Sequence, residues 1–351
     1  MNIKLLSIFC LSLASLLWAQ DDFFEPQSSI GGYGELHYNV NQTQDTQTLD
    51  FHRFVLFYGH QWTPKWSFVA EVELEHNFVK SGQGELELEQ AYVDFHPNSY
   101  FGFRAGVVLA PVGIINITHE PPTFLSVERP EYSSVIIPTT WFGNGAALYG
   151  SVSNIEYNFT IMEGLNGDGF SASSGIRGGR LKGYKANAEE LLFALRMDYA
   201  GFPGTRFGFS YTKNNAVRGN ADPIGLSLFE FHAQYHVNHF YSTFEIGRIS
   251  FDDYEIESSM GYYVDLGYNI GSLLNVPTEI IPWVRWTDYN TASSTITGGD
   301  AEEAYHYQKW MLGLTVKPID QVVFKFDYGV RTRQLDDSET TLLNVGVGYM
   351  F

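Results

Sequence analysis

Apolar and polar side chains alternate along most of this chain. The segment WSFVAEVELE (66–75) places its aromatic and aliphatic residues on one face and three glutamates, Glu71, Glu73 and Glu75, on the other. Because successive side chains of a strand point to opposite faces, this period of two predicts a strand with one apolar face. We count sixteen such runs, beginning near residues 29, 49, 66, 85, 100, 141, 155, 190, 205, 226, 240, 260, 279, 306, 321 and 340.

The connections between these runs alternate between short and long. Short links lie at 61–65, 151–154, 237–239 and 318–321, and the long ones at 111–140, 164–189, 213–225 and 288–305 follow odd-numbered strands. An even number of antiparallel strands can close without a free edge, and short turns on one side with long loops on the other are typical of outer-membrane barrels. The predicted fold class is therefore all-β, a transmembrane antiparallel β-barrel of sixteen strands.

Two local features refine this prediction. The apolar parity switches between Leu88 and Ala91, which predicts a β-bulge in the fourth strand. Aromatic residues recur where strands end, as in the girdles of membrane barrels, and this disfavours the alternative of a secreted β-sandwich or β-rich enzyme. These residues are Trp62, Trp66, Tyr100, Tyr199, Phe202, Phe240, Tyr241, Trp286 and Trp310.

The first twenty residues differ from the rest. Lys4 precedes an apolar run from Leu5 to Leu17, and Ala19 stands just before an acidic pair. This order predicts a signal peptide over residues 1–20, followed by the barrel over residues 21–351. The run is too short for a comfortable transmembrane helix, which needs about 20 apolar residues.

Composition narrows the function. The chain has 40 acidic and 21 basic residues, a net charge of −19, and one cysteine. An acidic surface disfavours nucleic-acid binding, and a single cysteine excludes a disulfide scaffold. Aromatic residues make up 16% of the chain and there are 34 glycines, which favours β structure over helix.

Several segments carry a family resemblance. They are GGYGELHYN (31–39), DFHRFVLFYGHQW (50–62), ELEQAYVDF (87–95) and, most specifically, EPPTFLSVERPEYSSVIIPTTWFGNGAALYG (120–150). With them the chain resembles the bacterial outer-membrane porins of the phosphate-selective porin O and P type. The ending VGVGYMF is similar to the terminal strand by which such barrels are recognised for insertion. The resemblance implies a sixteen-stranded channel in the outer membrane, commonly trimeric, with one loop folded into the lumen.

Residues 111–140 are predicted to be that loop. Five prolines stiffen the segment, and its isoleucines and Phe124 need burial. Packed inside the barrel, the loop would hold Glu120, Glu128, Arg129 and Glu131 at the pore constriction. The alternative is an external loop packed on its own residues or on a neighbouring subunit.

Charged residues opposite the apolar faces are predicted to line the pore. The acidic ones are Glu71, Glu73, Glu87 and Glu89, together with Glu75 and Glu85, and the basic ones, expected across the barrel, are Arg53, Arg104, Arg196, Arg285, Lys309, Lys325 and Arg331. Opposed walls would impose a transverse field on passing solutes, whereas simple ion pairing would only hydrate the lumen, and both interpretations stay open. Phosphate selectivity does not follow, because anion capture needs clustered Arg and Lys.

Signatures of catalysis are missing from the sequence. It contains no HExxH helix, GxSxG elbow or glycine-rich phosphate loop. His232 and His236 are four residues apart on a strand, about 13 Å, which is too far to share a metal ion. The Asn-Gly-Asp-Gly run at 166–169 and the Ser/Gly-rich 171–179 predict a flexible loop.

The predicted function is passive diffusion of small hydrophilic solutes or ions across the bacterial outer membrane. No catalysis, cofactor, metal or nucleic acid is expected, and the expected partners are outer-membrane lipid, the solutes and two further copies in a homotrimer. The alternative is an occluded outer-membrane barrel that acts as a binding protein or hydrolase.

Overall fold

Sixteen antiparallel strands form a closed barrel in the computed structural model, which describes residues 24–81 and 83–351. Each strand pairs with its neighbours in sequence, and the first pairs with the last. The strands are β1 (Gln27–Asn41), β2 (Thr46–Thr63), β3 (Trp66–Glu75), β4 (Leu86–Asn98), β5 (Phe101–Leu109), β6 (Phe142–Val152), β7 (Ile155–Met162), β8 (Leu192–Phe202), β9 (Thr205–Ala216), β10 (Ile224–Val237), β11 (Phe240–Asp252), β12 (Ile256–Tyr268), β13 (Glu279–Thr295), β14 (His306–Ile319), β15 (Val322–Arg333) and β16 (Glu339–Met350). Every predicted start lies within four residues of the observed one, so the predicted fold is confirmed.

Closure depends on the pairing of β1 with β16. Their register runs from Tyr33 opposite Met350 to Asn41 opposite Leu342, and Gly32 and Phe351 exchange two further backbone hydrogen bonds of 3.0 and 2.9 Å. A closed sheet leaves no row of unpaired backbone groups. Among the described residues, the helices are too short and too polar to cross a membrane. The predicted signal peptide lies outside the described residues.

The two ends of the barrel differ as predicted. Two-residue turns follow most even-numbered strands, with the link 269–278 as an exception, and the longer connections follow odd-numbered strands. The predicted loops at 213–225 and 288–305 are shorter than expected, because β9 continues to Ala216 and β13 to Thr295. The predicted bulge in β4 is present: Gln90 pairs with Glu71 and Leu88 pairs with Val72, which leaves Glu89 as the extra residue.

The outer face of the barrel is apolar. Aromatic residues predicted for the girdles, such as Trp62, Tyr100 and Phe202, are exposed on it. An apolar outer band is what the lipid around a barrel requires. Tyr241 is an error of the prediction, because its side chain points into the lumen, where its hydroxyl donates to Glu279 Oε1 over 2.9 Å.

Two long connections fold into the barrel and form its core. The first inner loop (residues 110–141) contains the one-turn helix α1 (Tyr132–Val135) and a 3₁₀ turn, Pro121–Thr123. The second inner loop (residues 163–191) contains two 3₁₀ turns, Gly167–Gly169 and Arg177–Gly179. A further helix, α2 (Asp300–Glu303), lies between β13 and β14.

The apolar side chains of both inner loops pack together against the wall. The cluster includes Tyr132, Ile136, Ile137 and Trp141 from the first, Leu165, Phe170 and Ile176 from the second, and Leu192, Leu228, Ile249 and Tyr263 from the strands. The prediction of a flexible loop at 166–179 is therefore wrong. Phe170 and Ile176 bury completely or nearly so, and they anchor the glycine- and serine-rich segment to this core.

Candidate pore and constriction

The first inner loop crosses the full width of the lumen. His119 Nε2 lies 3.5 Å from Glu71 on β3, while the backbone N–H of Ile114 donates to Glu245 on β11 over 3.2 Å. β3 and β11 are eight strands apart in the ring of sixteen, so they stand on opposite sides of the barrel. The prediction that residues 111–140 fold into the lumen is confirmed, and the external-loop alternative is wrong.

Further contacts fix the loop to β13, β14 and β15. Thr315 Oγ1 donates to the carbonyl of Leu125 over 2.6 Å, and the N–H of Val127 donates to Asp327 Oδ2 over 2.7 Å. Each of these bonds joins a wall side chain to the loop backbone. The position of the loop is therefore set by many contacts around the ring rather than by one attachment point.

A buried ion pair supports the middle of the loop. Arg285 on β13 makes a two-pronged pair with Asp265 on β12, at 2.5 and 2.6 Å, and its remaining terminal nitrogen donates to Ser126 Oγ over 2.6 Å. Both charged side chains are almost wholly buried. This geometry uses the planar donor fork of arginine, which holds a carboxylate and a loop hydroxyl at the same time.

The predicted constriction residues differ in what they contact. Glu131 accepts from Lys309 over 2.9 Å and lies 3.6 Å from Arg331, and Glu128 lies 2.9 Å from His37 Nδ1. Arg129 donates to the carbonyl of His119 over 3.3 Å. Glu120 begins the 3₁₀ turn Pro121–Thr123 and is not among the described residues that line the lumen cavities.

Most of the predicted wall charges lie at the lumen face but beneath the loops. Seven of them are at most 6% exposed, namely Arg53, Glu71, Glu73, Glu89, Arg285, Lys309 and Lys325, while Glu87, Arg104 and Arg331 are partly exposed. Lys325 Nζ sits 3.6 Å from the ring centre of Phe124 in the first inner loop. These charges therefore mainly position the loop, and a part for them in solute passage remains a prediction.

The predicted arrangement of opposed walls is partly wrong. Arg53 lies on β2, next to the acidic strand β3, and its Nη1 is 3.0 Å from Glu73. Arg104 lies on β5 and is 3.5 Å from Asp94 on β4. The alternation of apolar and polar residues shows whether a side chain faces the lumen or the lipid. It does not show whether two charged strands lie side by side or on opposite sides of the barrel. The other predicted cations do stand away from the glutamates of β3 and β4: Arg196 lies on β8, and Arg285, Lys309, Lys325 and Arg331 lie on β13 to β15.

The loop divides the lumen into an outer cavity and an inner region. The outer cavity has a volume of about 410 Å³, and the inner region contains two cavities of about 530 and 360 Å³ that share Ile114, Thr118 and Gln234. The half of the loop from Pro111 to Leu125 lines the inner region with uncharged side chains. The half from Val127 to Thr139 lines the outer cavity and carries the charges.

Comparison with known proteins assigns this architecture. The family model "Phosphate-selective porin O and P" matches residues 27–202. An uncharacterized protein of Aquifex aeolicus (strain VF5) is 31% identical over 348 residues, covering 92% of this chain and 80% of that protein. The chain belongs to the phosphate-selective porin O and P family. It is an outer-membrane porin, and its barrel forms a passive diffusion channel.

Solved structures similar to this porin share its fold. OmpT of Vibrio cholerae in its trimer form has a TM-score of 0.62 at 12% identity, covering 93% of this chain and all of that one. The anion-selective porin from Comamonas acidovorans gives 0.62 at 9% identity, with 93% and 100% covered. Salmonella typhi OmpF in complex with daunomycin gives 0.65 at 13% identity, with 92% and 97% covered.

Some residues that hold the constriction of this porin could not be found in the sequence. Arg177 and Arg180 of the second inner loop donate to the carbonyls of Thr139 and Thr140 in the first. Asn39 on β1 donates to Glu128 over 2.8 Å. Nothing in the local pattern separates these residues from ordinary loop or lumen positions, since their partners are at least 38 residues away in the chain.

The ion pairs of Glu131 predict how this porin responds to acid. Burial alone would raise the pKa of this carboxyl group, but the positive charges of Lys309 and Arg331 outweigh burial and lower the pKa from 4.5 to about 2. Because the pKa is lowered in the docked loop, these pairs stabilise docking above pH 4.5, and that stabilisation is lost as pH falls from 4.5 through about 2. Single-channel recordings should therefore show growing current fluctuations across this window.

The variant Glu131→Gln provides the comparison for that titration. Its single-channel current should fluctuate already at pH 5 and change less as the pH falls. Some response to acid should remain, because Glu128, beside His37 and Asn39, also has its pKa lowered to about 2 despite burial. A wild-type current that stays equally quiet down to pH 2 would show that these pairs do not hold the loop.

Proposed function

We propose that this porin passes small hydrophilic solutes of either charge, with weak ion preference and no phosphate selectivity, and that it catalyses no reaction. The observation that carries this proposal is the balance of charge in the outer cavity. Four carboxylates line it against four permanent cations, namely Glu35, Glu75, Glu128 and Glu131 against Arg53, Arg129, Arg177 and Lys309. A solute entering there meets both signs of charge within one cavity.

Most of the cations in the outer cavity are already paired. Arg53 Nε is 2.8 Å from Glu35, and Lys309 is 2.9 Å from Glu131. The other two cations of the outer cavity are Arg129 and Arg177. Among the described residues, neither has a carboxylate oxygen within 4.0 Å. Selective phosphate capture needs several unpaired cations that converge on one point. Two guanidinium groups that each donate to a loop carbonyl support a mild attraction for anions, which offsets the acidity of the whole chain.

The route we propose runs beside β1, β2 and β16. Residues of these strands line the outer cavity, whereas the apolar core of the two inner loops fills the side toward β7 to β13. Below the loop the solute would enter the inner region, whose loop face is uncharged. The charged constriction and the neutral inner face would favour small polar solutes over large or apolar ones.

We further propose that the porin is a homotrimer embedded in outer-membrane lipid. The trimer form of the similar Vibrio cholerae OmpT and the apolar outer face of this barrel support this assembly. The mass of the detergent-solubilised protein, after subtraction of bound detergent, should be three times that of one chain.

Planar-bilayer recording tests the proposed selectivity. The refolded wild type should show stable open steps and a reversal potential close to zero under a potassium chloride gradient, with no saturable block by phosphate. The double variant Arg129→Glu with Arg177→Glu should shift the reversal potential clearly toward cation preference, because it reverses the two unpaired charges of the outer cavity. Arg333→Glu changes charge in an exposed pair with Asp336 and should leave the potential unchanged.

Three results would contradict the proposal. A strongly anion-selective wild type, or block by micromolar phosphate, would indicate a dedicated anion site. An equal shift in the Arg333→Glu control would mean that overall charge, and not the outer cavity, sets the preference. Absence of conductance from well-folded protein would favour an occluded barrel with a binding role.

A further inference from the structure

Three buried groups converge where the first inner loop meets the wall at β3 and β4. They are Glu71 on β3, Glu89 at the bulge of β4, and His119 in the loop, which are 1%, 0% and 3% exposed. His119 Nε2 lies 3.5 Å from Glu71 Oε1 and 3.5 Å from Glu89 Oε2. One ligand atom from each of the three residues lies within 4.8 Å of those from the other two.

The remaining oxygen of each carboxylate is held by a neighbour. Gln90 Nε2 donates to Glu71 Oε2 over 2.5 Å, and Thr140 Oγ1 donates to Glu89 Oε1 over 2.6 Å. Glu71 Oε1, Glu89 Oε2 and His119 Nε2 have no hydrogen-bond partner among the described residues. Two carboxylates are thus each fixed through one oxygen, while their free oxygens and a free imidazole nitrogen point toward one another. Hydrogen-bond donors that hold the other atom of each ligand orient the ligands of metal sites in this way.

The charge at this point is not balanced by the protein's permanent cations. No Lys or Arg nitrogen of the described chain lies within 4.0 Å of Glu71 or Glu89. The neighbouring glutamates do have such partners, Arg53 at 3.0 Å from Glu73 and Lys182 beside Glu87. A buried carboxylate without a counter-charge is strongly destabilising. A positive charge, from a bound cation or from protonation of His119, is therefore needed between Glu71 and Glu89.

We propose that Glu71, Glu89 and His119 bind one divalent cation of the zinc class, which fixes the first inner loop to the wall. Imidazole nitrogen and carboxylate oxygen suit Zn²⁺, whose ligands at about 2.0 to 2.2 Å in a tetrahedron stand about 3.3 to 3.6 Å apart. The two separations of 3.5 Å match this spacing. A neutral imidazole, two carboxylates and a divalent ion sum to zero charge, which suits a site closed to solvent.

The competing source of charge is a protonated His119 with no metal. The two cases differ in what the folded protein binds, because an imidazolium needs no added ion and gives no metal spectrum. Metal content is measured on folded protein in detergent and needs no channel current. A protein that binds no metal could therefore still conduct as proposed, and a protein that does not conduct could still bind the metal.

Metal loading of the full-length folded protein tests the site. The protein is stripped with chelator, dialysed against ZnCl₂ and analysed for bound zinc, and a parallel sample is titrated with Co²⁺ in the visible range. With one water as the fourth ligand, we expect one zinc per chain and the intense visible absorption of four-coordinate Co²⁺. Both signals should be lost, or weakened at least tenfold in affinity, in Glu71→Gln and in His119→Gln.

Glu230→Gln is the matched control. Glu230 is as deeply buried and also faces a histidine, His232, at 2.7 Å, but that histidine is already satisfied by Arg196 at 2.9 Å. The control should bind zinc as the wild type does. Wild-type protein that binds no more metal than His119→Gln would overturn the proposal and assign the charge to imidazolium. Zinc retained in full by both folded site variants would overturn it as well.

Discussion

Removal of residues 114–137 should raise the single-channel conductance several-fold while the barrel still folds. The segment can be cut out cleanly because its ends meet: the N–H of Ala110 donates to the carbonyl of Trp141 over 2.8 Å, and a Cβ on Gly113 would lie 3.2 Å from the side chain of Ile137. A short Gly-Ser linker from Gly113 to Pro138 can therefore replace a segment that spans the lumen. Planar-bilayer recording of the refolded variant, compared with wild type in the same salt, measures the change.

The control for this excision is a deletion at an outer loop. Gly298 and Gly299 lie between β13 and β14, and a Cβ at either would meet open space. A variant without them should conduct as the wild type does. Equal conductance of the excised variant and the wild type, with both showing the same barrel signature by circular dichroism, would place the narrowest point of the channel elsewhere.

Asp265→Asn should be the most destabilising single substitution that we consider, by about 3 kcal/mol. It leaves the Arg285 guanidinium buried, with its charge unpaired and two donors opposite a neutral amide. The same arginine holds Ser126, so the middle of the first inner loop should loosen too. Denaturant unfolding of the refolded protein in lipid vesicles, followed by tryptophan fluorescence, gives the free energy of unfolding.

Asp336→Asn tests whether burial causes this effect. Asp336 also pairs with an arginine, Arg333, but the pair lies exposed near the outer end of β15. Exposed pairs contribute about 0 to 1 kcal/mol, so this variant should unfold almost as the wild type does. A similar loss in both variants would mean that burial of the Arg285 pair adds nothing to stability.

The barrel was predictable because one short-range rule governs it. A strand in lipid must present apolar side chains at every second position. The first and last residues of β3 or β16 can therefore be predicted from the sequence of that strand alone, even when the strands that pair with it are unknown. The bulge at Glu89 was visible for the same reason, as a break in that period. Errors at the ends of β9 and β13 arose where strands extend past the lipid and the apolar alternation stops.

The contents of the lumen were only partly predictable. The first inner loop was identified because its prolines and isoleucines are unusual for a solvated connection. The second was mistaken for a flexible loop because Phe170 and Ile176 are too few to form an apolar pattern. Glu71 and Glu89 were predicted to line the pore, but their convergence with His119 depends on the docked loop, and no local spacing encodes a contact of that kind.

The contacts of the first inner loop also set the order in which the chain can assemble. Leu125 bonds to Thr315, 190 residues later, and Val127 to Asp327, 200 residues later. Contacts so distant in sequence form late, since the intervening chain must be in place before either bond can exist. The last strands close the wall and create the docking surface in the same step. The first inner loop therefore cannot dock completely before β14 and β15 have joined the wall, so full narrowing of the channel requires a nearly complete barrel.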